Sequence, residues 1–175
     1  MPKLFSSGMP AYICAAWLSP KSLKMNIRPA IPQDMPQVLG LIRELAEFER
    51  EPDAVVITTE DLVRDGFGEN PLFKAIVAEE QGQIVGMALF YYRFSTWKGK
   101  TVHLEDLIVT QSMRNRGIGE QLYNKVIEHG KSQGVRRIEW NVLDWNVDAI
   151  RFYEKSGARV LEDWRVVHYE ENLKI

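Results

Sequence analysis

The chain has 175 residues, 45% of them hydrophobic and 26% charged, which suits a soluble globular domain with one core. Lys plus Arg is 22 and Asp plus Glu is 24, a net charge of -2, so no basic field calls for nucleic acid or a membrane surface, and any anion site must be local. Cys14 is the single cysteine, which excludes an intramolecular disulfide and a cysteine zinc site. His103, His129 and His168 lie far apart without ligand spacing, so no metal is expected, and these counts suit a reducing cytoplasm.

No run reaches the ~18 apolar residues of a membrane span. Residues 1–24 hold one early lysine and a short apolar stretch, Ala11 to Leu18. A signal peptide is conceivable there, but the start is weakly basic and Pro10 interrupts the approach. "MNIRPAIPQD" reads like a fresh start at Met25. Residues 1–24 are therefore expected to be a poorly ordered extension or a misassigned start, and residues 25–175 the domain.

"NIRPA" predicts a short strand ending at Pro29. Asp34 is expected to cap a helix, with Gln37 completing a capping box, and Val38, Leu41, Ile42, Leu45 and Phe48 follow at helical spacing. Pro52 and Asp53 break the chain. Thr59 opens a second short helix that ends near Gly66 to Gly68. "FKAIVAEEQGQIVGMALFYY" predicts a hairpin about Gln81-Gly82. "TVHLEDLIVT" is a further strand, followed by a glycine loop and a helix from Gly117 to about Gln133, stopped by Gly134. Ile118, Leu122 and Val126 mark its buried face. "RRIEWNVL" is another strand, Asn146 starts a short helix ended by Gly157, and "WRVVHYE" predicts a last strand. Strand, loop, helix and strand over residues 101–143 form a βαβ unit, so those two strands should be parallel. With the hairpin before them, the fold class is α/β with a mixed sheet.

"MRNRGIGEQL" places two arginines and two glycines at the start of a helix. Helix N-termini expose unpaired N–H groups and partial positive charge, and glycine lets an anion approach the backbone. Arg114 and Arg116 would add charge-assisted donors. A Walker A loop does not fit. "GKT" at Gly99 and "GKS" at Gly130 lack the earlier glycine, with Phe94 and Lys125 in its place. A dinucleotide fingerprint fails because Gly117 and Gly119 are followed by Leu122.

The pattern that matches is R-x-x-G-x-G, Arg114 to Gly119, which resembles the pyrophosphate loop of the GNAT acyltransferase superfamily. "HLEDLIVTQSMRNRGIG" followed by "LDWNVDAIRFYEKSGA" is similar to that superfamily in spacing as well. The resemblance runs from Met25 almost to the end, and is closest to the diamine (spermidine/spermine) acetyltransferases and their thialysine acetyltransferase branch. "RPA", "ELAEFE" and "DGFGENP" look similar to that family too.

The resemblance implies a single-domain GNAT-like fold, with an antiparallel N-terminal part and a splayed central parallel pair that takes acetyl-CoA as cosubstrate. It implies that Leu107, Ile108 and Val109 pair with the pantetheine arm, and that backbone N–H groups there polarise the thioester carbonyl. Arg114, Asn115, Arg116, Gly117, Ile118, Gly119 and Glu120 would hold the pyrophosphate, and Asn146, Val147, Asp148 and Ala149 would contact the cofactor. The acceptor would be a primary amine. At pH 7 an alkyl ammonium with a pKa of about 10.4 is short of its neutral form by roughly 4.6 kcal/mol, so a base is useful.

Glu105 in "LED" matches the family's base position; by residue type alone it is equally a strand-surface acid paired with a cation. Tyr153 matches the tyrosine that protonates the departing thiolate and touches the cofactor; by spacing alone it is a core residue beside Ala149 and Ile150. Glu49, next to Phe48 at the end of the first helix, is in the family's cation-holding position, or is a solvated helix end. Ser95, Glu139, Trp140 and Asn141 complete the expected amine site. Ser95 replaces an acid of the polyamine enzymes, and "STWKG" and "VLDWN" look more like the thialysine branch, so a lysine-like small amine is expected ahead of a polyamine. The family commonly forms homodimers. Acetylation of a protein amine and a non-catalytic CoA-binding module are the alternatives.

Overall fold

The computed structural model describes residues 25–169, and the expectation for residues 1–24 lies outside the described residues. Five strands form one sheet: β1 (Asn26–Pro29), β2 (Lys74–Glu80), β3 (Gln83–Ser95), β4 (Gly99–Val109) and β5 (Ile138–Glu139), in the order β1-β2-β3-β4-β5. The first four pair antiparallel, and β5 pairs parallel to β4. The hairpin turns at Gln81 and Gly82, both with left-handed φ (55° and 78°), which matches the twist of the flanking strands.

Four helices cover the sheet: α1 (Met35–Phe48), α2 (Thr59–Phe67), α3 (Ile118–Ser132) and α4 (Val147–Lys155). Helices α1 and α2 bury Val38, Leu41 and Leu62 against Val77, Met87, Leu89 and Ile108. On the other face, α3 buries Ile118, Leu122 and Val126 against Ala88, Phe90, Val102 and Leu104, with Tyr153 of α4 alongside. Each such buried side chain contributes roughly 1.5–3 kcal/mol relative to exposure. Gly86 lets α3 sit this close, because a Cβ there would meet the Ile108 carbonyl at 2.9 Å and Leu122 at 3.2 Å.

Two features of the sheet shape the site. The first is the β4–β5 pair, which is limited to Val102 with Ile138 and His103 with Glu139. Beyond His103, β4 runs on to Val109 with no described strand on that side. The second is a bulge: Phe90 opposes Leu104 and Leu89 opposes Asp106, so Glu105 is the extra residue. A bulge bends the strand and re-aims side chains.

Two local expectations are corrected. Asp34 and Gln37 form no capping box for α1. The Asp34 carboxylate instead accepts from Ile31 N at 2.8 Å and from both terminal nitrogens of Arg28 at 2.7 and 2.9 Å, and this pairing holds its pKa below the usual range. Gln37 Oε1 accepts from Ile84 N at 2.9 Å, tying α1 to β3. Asp34 is drawn back to the residues before it, Arg28 and Ile31, and Gln37 is drawn across to β3. The capping box of this part of the chain lies at α2, where Thr58 and Asp61 exchange hydrogen bonds of 2.9 and 3.2 Å.

The second correction concerns "WRVVHYE", whose described residues 164–169 form no strand. β5 is only two residues long and ends the sheet, so this segment has no ladder to join. Val166 and Val167 are left exposed at 62% and 87%.

Candidate active site

The open edge of β4 faces an open cleft of about 340 Å³. Leu107 and Val109 of β4, Arg114, Asn115, Gly117, Gly119 and Glu120 of the loop and first turn of α3, and Ala149 and Tyr153 of α4 line it. Phe152, not anticipated from the sequence, lines it too. Asn115 and Gly117 have left-handed φ of 61° and 73°. Successive turns of this kind make a concavity of backbone N–H groups that suits anions. Gly117 caps α3 without a side chain, and a Cβ built on it meets nothing within 4 Å, so the approach to the helix N-terminus is open.

Other sequence-predicted residues take different places. Ile108 and Ile118 are 3% and 2% exposed, with their side chains in the two cores, which leaves only their backbone for a ligand. Arg116 turns to β2 and pairs with Glu80 at 2.7 Å. Arg114 donates from Nε to the Val109 carbonyl at 2.9 Å and lies 5.5 Å from the Phe48 ring centre. Both guanidinium groups are thus engaged by the protein. Asn146 Oδ1 accepts from Ala149 N at 3.2 Å and caps α4, with Val147 and Asp148 exposed in its first turn.

Tyr153 is nearly buried, its ring 4.8 Å from Trp140 and 5.9 Å from Tyr123. Burial, with a smaller effect of Tyr123, pushes its pKa up to about 12. The hydroxyl therefore keeps its proton at neutral pH. Trp140 also packs edge-on against Tyr123 at 5.6 Å, so it works as a wall behind Tyr153.

On the α1 face of the sheet, Tyr91 Oη donates to Glu105 Oε2 at 2.9 Å. Asp106, which the sequence reading missed, is the next residue. Burial first, then the charges of Glu105 and Glu49, raise its pKa to about 6. The charge of Glu49, at the C-terminal end of α1, thus reaches the acids of β4, and burial raises the pKa of Glu49 itself. In "LEDLIV" strict alternation sends neighbouring residues to opposite faces, and the bulge at Glu105 overrides this. No signal in the sequence marks the bulge.

The remaining predicted residues scatter around this group. Phe48 packs against Trp145 with the rings tilted and their centres 5.4 Å apart, and Arg50 lies 4.7 Å from the Trp145 ring centre. Glu139 pairs with Arg93 at 3.2 Å and Arg137 at 2.8 Å. Asn141 is exposed past the end of β5. Ser95 sits at the far end of β3, where its Oγ accepts from Trp97 N at 3.3 Å and Lys98 N at 3.2 Å. It shapes the β3–β4 turn and is not brought to the carboxylates.

A parallel pair that separates around a cleft, with a glycine-capped helix at one end and acids beside it, is the arrangement that the resemblance to the acetyltransferases implies. The chain belongs to the acetyltransferase (GNAT) family, whose model matches residues 38–158. It is 41% identical to the thialysine N-epsilon-acetyltransferase of Sus scrofa over 155 residues, 82% of this chain and 91% of that protein. It is 36% identical to the Homo sapiens spermidine/spermine N(1)-acetyltransferase-like protein 1, over 82% of this chain but 22% of that longer one. Among solved structures, an aminoglycoside N-acetyltransferase in complex with CoA superposes with a TM-score of 0.68 at 22% identity, over 89% of this chain and 99% of that one. The protein is therefore an acetyltransferase with a mixed α/β fold.

Proposed function

We propose that this enzyme transfers the acetyl group of acetyl-CoA to the primary amine of a small lysine-like molecule such as thialysine, with both substrates bound together. The observation that carries this reading is the open edge of β4 beyond His103, which leads into the glycine-capped start of α3 and carries Glu105 and Asp106 on the same strand. The 41% identity to a thialysine enzyme supports the choice of amine.

The residues present fit the cosubstrate. The open space before Gly117 admits a pyrophosphate to the amides of residues 115–120. The backbone of Leu107, Ile108 and Val109 offers a strand edge to the pantetheine arm, and its N–H groups polarise the thioester oxygen. Residues Asn146 to Ala149 contact the cofactor from α4. Acetyl-CoA supplies an acyl group already activated as a thioester.

Glu105 and Asp106 attract the ammonium, and Glu105 takes its proton, directly or through water, so that the neutral amine attacks the carbonyl carbon. Asp106, with a pKa near 6, shares the proton load close to working pH. As the C–S bond breaks, Tyr153 presents its retained hydroxyl proton to the departing sulfur. Phe48, Glu49, Trp140 and Asn141 border the acceptor, and Glu139 braces its outer wall. The enzyme acts in the cytoplasm as a homodimer, and exposed Val160, Leu161, Trp164, Val166 and Val167 near the end of the described chain support the dimer.

The test is release of CoA thiol from acetyl-CoA with thialysine, lysine, spermidine, spermine and a short diamine at pH 7 to 9. Turnover that favours thialysine supports the reading. Preference for spermidine would make it a polyamine enzyme, and silence on every amine with acetyl-CoA still bound would point to a protein acceptor or a non-catalytic binder.

A further inference from the structure

Outward from Glu105 on the α1 face, the charge changes sign. His103 Nε2 lies 3.5 Å from Glu105 Oε2, and His103 Nδ1 lies 3.2 Å from Arg93 Nη1. A guanidinium only donates, so Nδ1 accepts and the imidazole proton sits on Nε2, towards Glu105. Burial lowers the pKa of His103 against the raising effect of Glu105, so the ring is a neutral spacer at pH 7. On its far side Arg93 is 3.2 Å from Glu139, and Arg137 Nε is 2.8 Å from the same carboxylate, though too poorly aligned for a hydrogen bond. Two guanidinium groups therefore share one carboxylate, and the outer group keeps a positive excess. The Arg93 side chain is 51% exposed, with donors left for an incoming partner.

The geometry points to Arg93 as the residue that binds the carboxylate of an amino-acid acceptor. This rests on the amine acetyltransferase reading and adds what selects among amines. With the reacting ammonium at Glu105 and Asp106, the guanidinium stands one imidazole ring and two polar contacts away. The two contacts, 3.5 and 3.2 Å, on either side of one ring set an upper limit to that span, and an extended, lysine-length amino acid is long enough to bridge it from terminal amine to carboxylate. A diamine of equal length would set its second cation against Arg93. The acidic inner end thus accepts any primary amine, and the cationic outer end rejects the doubly charged one. His103 and Glu139 are positioning residues that hold the guanidinium in place.

The experiment is steady-state kinetics on the full chain with two matched pairs, thialysine against its decarboxylated diamine and lysine against cadaverine. Wild type, Arg93→Gln and Arg93→Lys are compared. Arg93→Gln is expected to raise KM for both amino acids roughly 10- to 100-fold, the worth of a hydrogen bond between charged groups, with kcat little changed. Its kcat/KM for the diamines should hold or rise, and Arg93→Lys should recover part of the amino-acid affinity. Equal losses on amino acids and diamines, or no loss on either, would overturn the carboxylate assignment while leaving amine transfer intact. A wild-type enzyme that acetylates diamines better than amino acids would overturn it too. If wild type releases no thiol with any amine, the transfer reading itself falls, and the subsite with it.

Discussion

Tyr91 holds Glu105 by a 2.9 Å hydrogen bond across a bulge that leaves Glu105 without a cross-strand partner. The hydroxyl fixes one carboxylate oxygen and leaves the other for the substrate. Burial first, then the bond to Glu105, pushes the Tyr91 pKa up to about 12, so this donor stays protonated across the working range. Glu105→Gln keeps the shape and removes the base. We expect kcat to fall roughly 10²-fold or more, with the deepest loss at neutral pH, where the amine most needs deprotonation. A uniform drop from pH 7 to 9 would assign Glu105 to binding only.

Asp106 has its own signature. Its folded pKa, about 6, is above the ordinary aspartate value of 3.8, so the ionised carboxylate costs stability at neutral pH and the cost vanishes as it protonates. Asp106→Asn should raise stability at pH 7.5 by on the order of 2 kcal/mol, and the gain should fade as pH falls from 6 towards 4. Turnover should fall in the same variant. Thermal unfolding at three pH values checks the sign. A variant less stable than wild type at pH 7.5 would mean that Asp106 is held by partners stronger than its burial.

Tyr153→Phe removes a proton that burial keeps on the oxygen, while the ring still fills its place beside Trp140 and Tyr123. We expect turnover to drop roughly 10²-fold and acetyl-CoA affinity to change little. Equal turnover in the two proteins would leave Tyr153 as packing alone.

Gly117 combines a left-handed φ of 73° with open space before it. Gly117→Ala should cost about 1 kcal/mol of stability from backbone strain. Gly117→Asp adds a carboxylate where the pyrophosphate is proposed to bind, and calorimetry should register loss of acetyl-CoA binding. Unchanged affinity would remove the loop from the cofactor site.

Val167, 87% exposed, tests the assembly. If the proposed homodimer uses this segment, Val167→Asp is expected to yield a monomer in light scattering at micromolar concentration where wild type gives a dimer. A wild-type monomer, or an unaffected dimer, would detach this segment from any interface.

The sequence is most legible where one residue type has a single conformational use. Gly82 and Gly117 mark the hairpin and the loop, and the Ile118, Leu122, Val126 spacing marks the buried face of α3. Val38 and Leu41 do the same for α1. It is less legible where a residue's partner comes from another element. Asp34 reads as a cap until Arg28 claims it, and "WRVV" reads as a strand until the sheet ends before reaching it. Asp106 and Arg93 share that fate. One needs a bulge to reach the acidic face, and the other takes its meaning from His103 and Glu139 on neighbouring strands.

The early separation of β4 from β5 leaves the backbone donors and acceptors between Leu104 and Val109 that point away from β3 without a described strand to pair with. If the pantetheine arm lies there, it completes the sheet as a borrowed strand. Folding and loading then become linked equilibria. With free cosubstrate at 100 times its Kd, the loaded protein gains about 2.7 kcal/mol against unfolding. The metabolic state of the cell would thus set how much of this enzyme survives proteolysis as well as how fast it works. A starved cell would hold a more fragile pool of the same chain.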